Sequence, residues 1–192
     1  MKEKEAIERT KAFVRDSFVA RPHYSFDHWS VMYNHSVLVQ EIALKIAKGM
    51  ECDRLVLSLA ALLHDIGKTY EASPAVLHKG HKKFNAIVSA DFLEGLRLER
   101  GQLRKVKGII SYKSRSAEMK IVKDADALAL YADKRLYTLY IRWAMDNGLA
   151  DDIKRKLGKF SRLHFEESKR LGRKWFERMK RDWDSTASSP TG

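Results

Sequence analysis

A histidine and an aspartate stand side by side at the foot of an apolar run, Ala60-Ala61-Leu62-Leu63-His64-Asp65-Ile66-Gly67-Lys68. An imidazole offers a neutral nitrogen lone pair and a carboxylate offers anionic oxygens. Both can grip one cation where a helix ends and its last side chains fan out. An ionised Asp buried at such a place costs on the order of several kcal/mol unless it is paired or ligates a metal. Taken alone, the pair also fits a histidine at a helix C-terminus beside a solvated aspartate. Two further features favour the metal. His35 lies on the apolar face of its own segment, twenty-nine residues before His64. That length accommodates a helix, a turn and a helix, a hairpin able to bring the two imidazoles together. Downstream, Asp124-Ala125-Asp126-Ala127-Leu128 sets two carboxylates into an otherwise apolar helix. Two neutral imidazoles with two carboxylates suit a hard or borderline divalent ion, with positions left for water or substrate.

The order His35, His64-Asp65, Asp126 resembles the HD-domain superfamily of metal-dependent phosphohydrolases. His35-Ser-Val-Leu-Val-Gln-Glu-Ile-Ala is similar to its first signature, Ala-Ala-Leu-Leu-His64-Asp65-Ile-Gly-Lys to its central one, and Ala125-Asp126-Ala127-Leu128 to its last. The resemblance covers residues 26 to 135. It implies an all-α HD-domain helical bundle in which His35, His64, Asp65 and Asp126 hold one divalent metal (Mn, Mg, Co, Ni, Fe or Zn). Asp126 rather than Asp124 matches the family's pattern, which leaves Asp124 as an outer partner of the ligands. Some members hold a second metal with additional histidines. His81, opening His81-Lys82-Lys83-Phe84-Asn85-Ala86, fits one such place. Lys82 stands where a second adjacent histidine often occurs, and Ser111-Tyr112 where another often closes the next helix. The expectation is therefore one metal per chain.

The chemistry expected is hydrolysis of a small phosphorylated metabolite, a nucleotide by preference, by attack of metal-bound water, because a divalent ion acidifies water and polarises a phosphoryl oxygen. Asp65 would also orient that water, and Lys68, four residues after His64, would neutralise a phosphate. His28, two turns before His35, reaches toward the rim. His78 and His81 are candidates for substrate contact or a second metal, and Arg115 and Arg135 for phosphate contact. Two other classes compete. One is a nucleic-acid-binding or regulatory protein that keeps the scaffold and uses its basic surface. The other is a metal-dependent oxygenase, which needs two redox metals and is disfavoured by the missing histidines.

The elements that must position these residues read as helices. Gly and Pro are scarce and few stretches alternate as half-buried strands do. Ile7, Val14 and Phe18 mark one face of a helix over residues 3 to 20. Ser25 or Asp27 is the expected cap of the next, running to Lys48, whose inward face is Val31, His35, Leu38, Ile42 and Ile46. Asp53 caps a third through Leu63 to Ile66, ended at Gly67. Residues 69 to 80 read as a loop. Helices follow over 82–98, 102–112, 121–133 and 136–146, with a long last one over 159–183. The aromatics Trp143, Trp175, Phe176 and Trp183 read as packing residues. One domain over 1–183 is expected, with a C-terminal helical extension and a disordered tail at 184–192.

The 192 residues carry a net charge of +12, which suits an anionic substrate or partner. Arg97 to Lys123 holds nine basic and two acidic residues between two ligand regions, so this stretch is expected to turn some charge toward the site. The interleaved charges of Lys154 to Arg181 read as an exposed helix surface. Cys52, the single cysteine, excludes an intrachain disulfide and suggests a reducing compartment. The charged start Met1-Lys2-Glu3-Lys4-Glu5 leads into no apolar signal region. The apolar run Leu55 to Leu63 is far short of the ~20 residues a membrane span needs. A soluble cytoplasmic monomer or homodimer, with no membrane and with nucleic acid a disfavoured partner, is the resulting expectation.

Overall fold

The third helix of the chain, α3 (Arg54–Leu63), organises the fold. Every residue from Leu55 to Leu63 is buried, so the segment has no solvent face and must be surrounded. Asp53 starts it, its carboxylate accepting from Val56 N–H at 3.0 Å. Around it pack α1 (Glu3–Ala20), α2 (Ser30–Ile46), α6 (Arg100–Ile110) and α7 (Ala117–Ala132). The computed structural model describes residues 2–23, 26, 28–73, 76–77 and 80–187, and no strand occurs among them. None of its helices is long and apolar enough to cross a membrane. The expected caps Ser25 and Asp27 lie outside the described residues, as does His78.

In α1 the buried stripe is Ala6, Thr10, Val14 and Phe18, with Ile7 on its flank. In α2 the stripe is Val31, His35, Val39, Ile42 and Ile46. Val39 continues the spacing where Leu38 was expected. Leu38 sits one position off the stripe and is half-buried. This face packs on α3 and α7, which turns His35 inward.

Between α3 and α6 the chain breaks up. A 3-10 turn (Ile66–Thr69) follows α3, and another (His81–Phe84) leads into α4 (Asn85–Val88) and α5 (Ala90–Gly95). The helix expected over 82–98 is thus three short pieces. Asn85 spends its side chain outside the helix, and the Ser89 hydroxyl bonds back to the Asn85 carbonyl at 2.7 Å, where the path bends.

The second half is tied to α7. Ser116 caps it, accepting from Met119 N–H. Asp133 caps α8 (Lys134–Asp146), accepting from Leu136 N–H. A helix not anticipated from the sequence, α9 (Ala150–Leu157), packs on α8. The long last helix does not begin at 159. A 3-10 turn at Phe160–Arg162 and an extended Leu163 precede α10 (Glu166–Ala187). Its end lies past the expected boundary at Trp183, with Ser185 and Thr186 hydroxyls bonding back to the carbonyls of Arg181 and Asp182. Residues 184–187, expected in a disordered tail, are therefore helical. The apolar face of α10 lies on α7 and α8.

Candidate metal centre

Four side chains from three elements converge where α3 ends. His64 is the C-cap of α3 and Asp65 follows it, where the chain turns out of the α-helix into the Ile66–Thr69 turn. His35 comes from the middle of α2 and Asp126 from the middle of α7, the two helices that pack on each other most extensively. One ligand atom from each of the four lies within 4.8 Å of the others. His35 Nε2 is 3.4 Å from Asp126 Oδ1, His64 Nε2 is 3.4 Å from Asp65 Oδ2, and the imidazole centroids are 5.3 Å apart. The hairpin and the third element inferred from spacing thus bring the expected residues together.

The ring of His64 is aimed. Its Nδ1 lies 2.8 Å from the Ala61 carbonyl and donates to it, which leaves Nε2 directed at the two carboxylates. That Nε2 is buried and has no hydrogen-bond partner. An orphaned imidazole nitrogen facing two carboxylate oxygens fits a divalent cation, whose two charges balance Asp65 and Asp126. Burial opposes charge on every member. Asp65 and Asp126 overcome it at His64 and raise its pKa to about 10. At His35 burial prevails and lowers it. Burial also opposes the charge of Asp65, yet Lys68, His64 and His81 hold its carboxyl well below the usual range. Asp126 is held down in the same way by Lys159 and the two histidines.

An outer layer fixes the ligands. Lys68 Nζ donates to Asp65 Oδ2 at 2.6 Å. His81 faces Asp65 Oδ1 with Nε2 at 2.9 Å and the Leu77 carbonyl with Nδ1 at 3.2 Å. Asn85, fully buried, accepts from Gly67 N–H at 2.7 Å and donates to the carbonyls of His64 and Ile110. It clamps the turn that presents His64 and Asp65. The fit is tight, since a Cβ on Gly67 would stand 2.2 Å from the His81 carbonyl oxygen. Nothing in the sequence pattern singled out Asn85, whose partners become neighbours only on folding.

Other expected residues go elsewhere. Asp124 makes its contacts with the segment before α10 rather than with the ligands. Its buried carboxylate accepts from the backbone N–H groups of His164 and Phe165 and lies 2.7 Å from His164 Nδ1. His28 is exposed and bonds with Ser30 at the start of α2. Arg115 and Arg135 are exposed and do not line the cavity.

Three of the four residues, His35, Asp65 and Asp126, open into a cavity of about 520 Å³, with His64 buried behind them. Half of its cations come from a stretch whose charges read as an exposed helix surface. Arg155, Lys156 and Lys159, from α9 and the turn after it, join Lys68, Lys82 and Lys83 on the walls. Lys159 Nζ reaches Asp126 Oδ2 at 3.3 Å. The reading of Lys154 to Arg181 as an outward surface fails for these residues, because α9 folds back over the site. From the basic stretch Arg97 to Lys123, the cavity takes Tyr112 rather than a cation. Lys82 Nζ lies 3.9 Å from the centre of the Tyr112 ring. Tyr140 and Trp143 of α8 add an aromatic wall, and the buried His23 joins from before α2.

Comparison with known proteins agrees with this geometry. The HD domain family matches residues 32–131, and the chain belongs to that family. No curated protein sequence matches significantly. Among solved structures, an HD-superfamily hydrolase from Bacillus thuringiensis is similar over 97% of both chains, at 20% identity and a TM-score of 0.68. YpgQ from Bacillus subtilis, solved in complex with ADP, is similar over 100% of this chain and 98% of its own, at 17% identity and a TM-score of 0.69. At such identities the likeness speaks for the fold.

Proposed function

We propose that this protein is a metal-dependent phosphohydrolase acting on a small phosphorylated metabolite, a nucleotide by preference. The observation that carries the reading is the four-residue donor cluster at the base of a cavity walled by lysines. His35, His64, Asp65 and Asp126 would hold one divalent ion. When bound, such an ion supplies Lewis acidity, polarising a phosphoryl oxygen and acidifying water.

The chain's own groups do the rest. Lys68 and His81 fix the Asp65 carboxylate from two sides, so that it can orient a water molecule. Lys68 and Lys159, each against a ligand carboxylate, stand ready to neutralise phosphoryl oxygens. Tyr140 and Trp143 offer apolar surface to a base or sugar. The cavity volume lies within the roughly 300–1,000 Å³ typical of small-ligand sites, which favours a metabolite over a nucleic-acid duplex. The ADP complex of YpgQ makes nucleotides the first substrates to try.

The test is a panel of p-nitrophenyl phosphate and nucleoside mono-, di- and triphosphates with several divalent ions. We expect phosphate release that Asp65→Ala abolishes. Metal-loaded protein that hydrolyses nothing in the panel would sink the reading.

A further inference from the structure

The cavity holds more positive charge than one phosphoryl group at the metal centre requires. A divalent ion balances Asp65 and Asp126, and Lys68 and Lys159 already touch those carboxylates. Arg155 is paired with Asp152 at 2.6 Å. Lys82, Lys83 and Lys156 remain, and Lys83 is exposed with its ammonium over the ring of its neighbour Phe84. Among the described residues neither Lys82 nor Lys156 makes an ion pair. Instead, their ammonium groups lie over aromatic rings, Lys82 at 3.9 Å from the centre of Tyr112 and Lys156 at 5.5 Å from that of Tyr140. Acid-free cations gathered on one small cavity repel each other unless an anion joins them. Burial and the nearby charges of Lys159 and Lys68 accordingly push the Lys156 pKa down to about 8.

Lys156 and Lys159 are also held in place. The Tyr131 hydroxyl of α7 donates to the Lys156 carbonyl at 2.7 Å, and Asp124 of α7 takes the N–H groups of His164 and Phe165. The helix that carries the ligand Asp126 therefore pins both ends of the segment bearing Lys156 and Lys159. The distance from these lysines to the metal centre is built into one rigid element, as a preorganised subsite requires.

We infer that Lys156, with Lys82, forms a subsite for a second phosphate of the substrate, so that the cavity selects phosphoanhydride-bearing substrates over phosphate monoesters. This rests on the phosphohydrolase reading. The subsite recognises adjoining phosphates as such, whatever group they carry.

The experiment uses full-length, metal-loaded protein freed of excess ion. Binding of inorganic pyrophosphate and of inorganic phosphate is measured for wild type, Lys156→Met, Lys82→Met and Lys156→Arg, alongside kcat/KM for nucleoside mono- and diphosphates. We expect wild type to prefer pyrophosphate by about a hundredfold. Each Met variant should cut that preference about tenfold, chiefly through KM in turnover, and Lys156→Arg should retain it. Equal preferences in wild type and both Met variants would overturn the subsite. If Lys156→Met fails to fold, Lys82→Met and Lys156→Arg decide. Turnover without any shift in preference removes the subsite and leaves the hydrolase reading standing. A shift in pyrophosphate preference without turnover of any phosphoester does the reverse.

Discussion

The chemistry of His64 depends on a bond made by its other nitrogen. With Nδ1 committed to the Ala61 carbonyl, Nε2 has no role except toward Asp65 and Asp126. Replacing either carboxylate leaves a buried imidazole facing half its charge. We therefore expect Asp126→Asn to lower bound metal to well under one ion per chain and phosphatase activity by at least ~100-fold, read by elemental analysis and the substrate panel. Lys156 supplies a pH dependence. Its pKa is pushed down to about 8, so its charge is present below that pH and lost above it. Pyrophosphate affinity should fall about tenfold as pH rises from 7 to 9, and Lys156→Arg, which keeps its charge, should flatten that profile. A wild-type profile no steeper than that of the Arg variant would remove Lys156 from the anion contacts.

At the scale of elements, the turn after α3 and the seam between α7 and α10 carry the precision. Asn85 closes three backbone bonds across that turn. Asn85→Ala leaves one N–H and two carbonyls buried without it, a loss on the order of 3 kcal/mol in urea unfolding. Metal affinity should drop with it, because the same turn presents His64 and Asp65. On the other side, Gly172 of α10 lies so close to α7 that a Cβ would stand 2.1 Å from Leu128 Cδ2, itself fully buried. Gly172→Ala should cost about 1–3 kcal/mol through overpacking, seen as an earlier denaturation midpoint with an unchanged slope.

Across the whole molecule, the centre joins α2, the end of α3 and α7, so an ion held there crosslinks the bundle. Metal at a hundredfold excess over its Kd should add about 2.7 kcal/mol of stability. For a chain of this size that amounts to a rise in Tm of roughly 5–10 °C, which Asp126→Asn should lose. The same view explains which cations reach the cavity. α9 packs on α8 and its following turn is strapped to α7, so Arg155, Lys156 and Lys159 close over the ligands while Arg115 stays outside.

His35, His64, Asp65 and Asp126 were legible in the chain because ligand chemistry demands particular residue types, and those types stand out in apolar helices at separations a hairpin can close. The all-helical class was legible because burial must repeat with the helical period. Short-range signals also gave the cap at Asp53. The broken helix after His81, the clamp at Asn85, the turn of Asp124 toward His164 and the inward face of α9 were not legible. Each depends on which distant segments become neighbours. An amide, a carboxylate or a lysine carries no local mark of whether its partner will be water or a residue forty positions away. The sequence by itself determined the four-residue donor cluster and the helical scaffold. Only the tertiary structure decided which cations surround them, because charge, unlike apolar periodicity, acts on whatever the fold brings within reach.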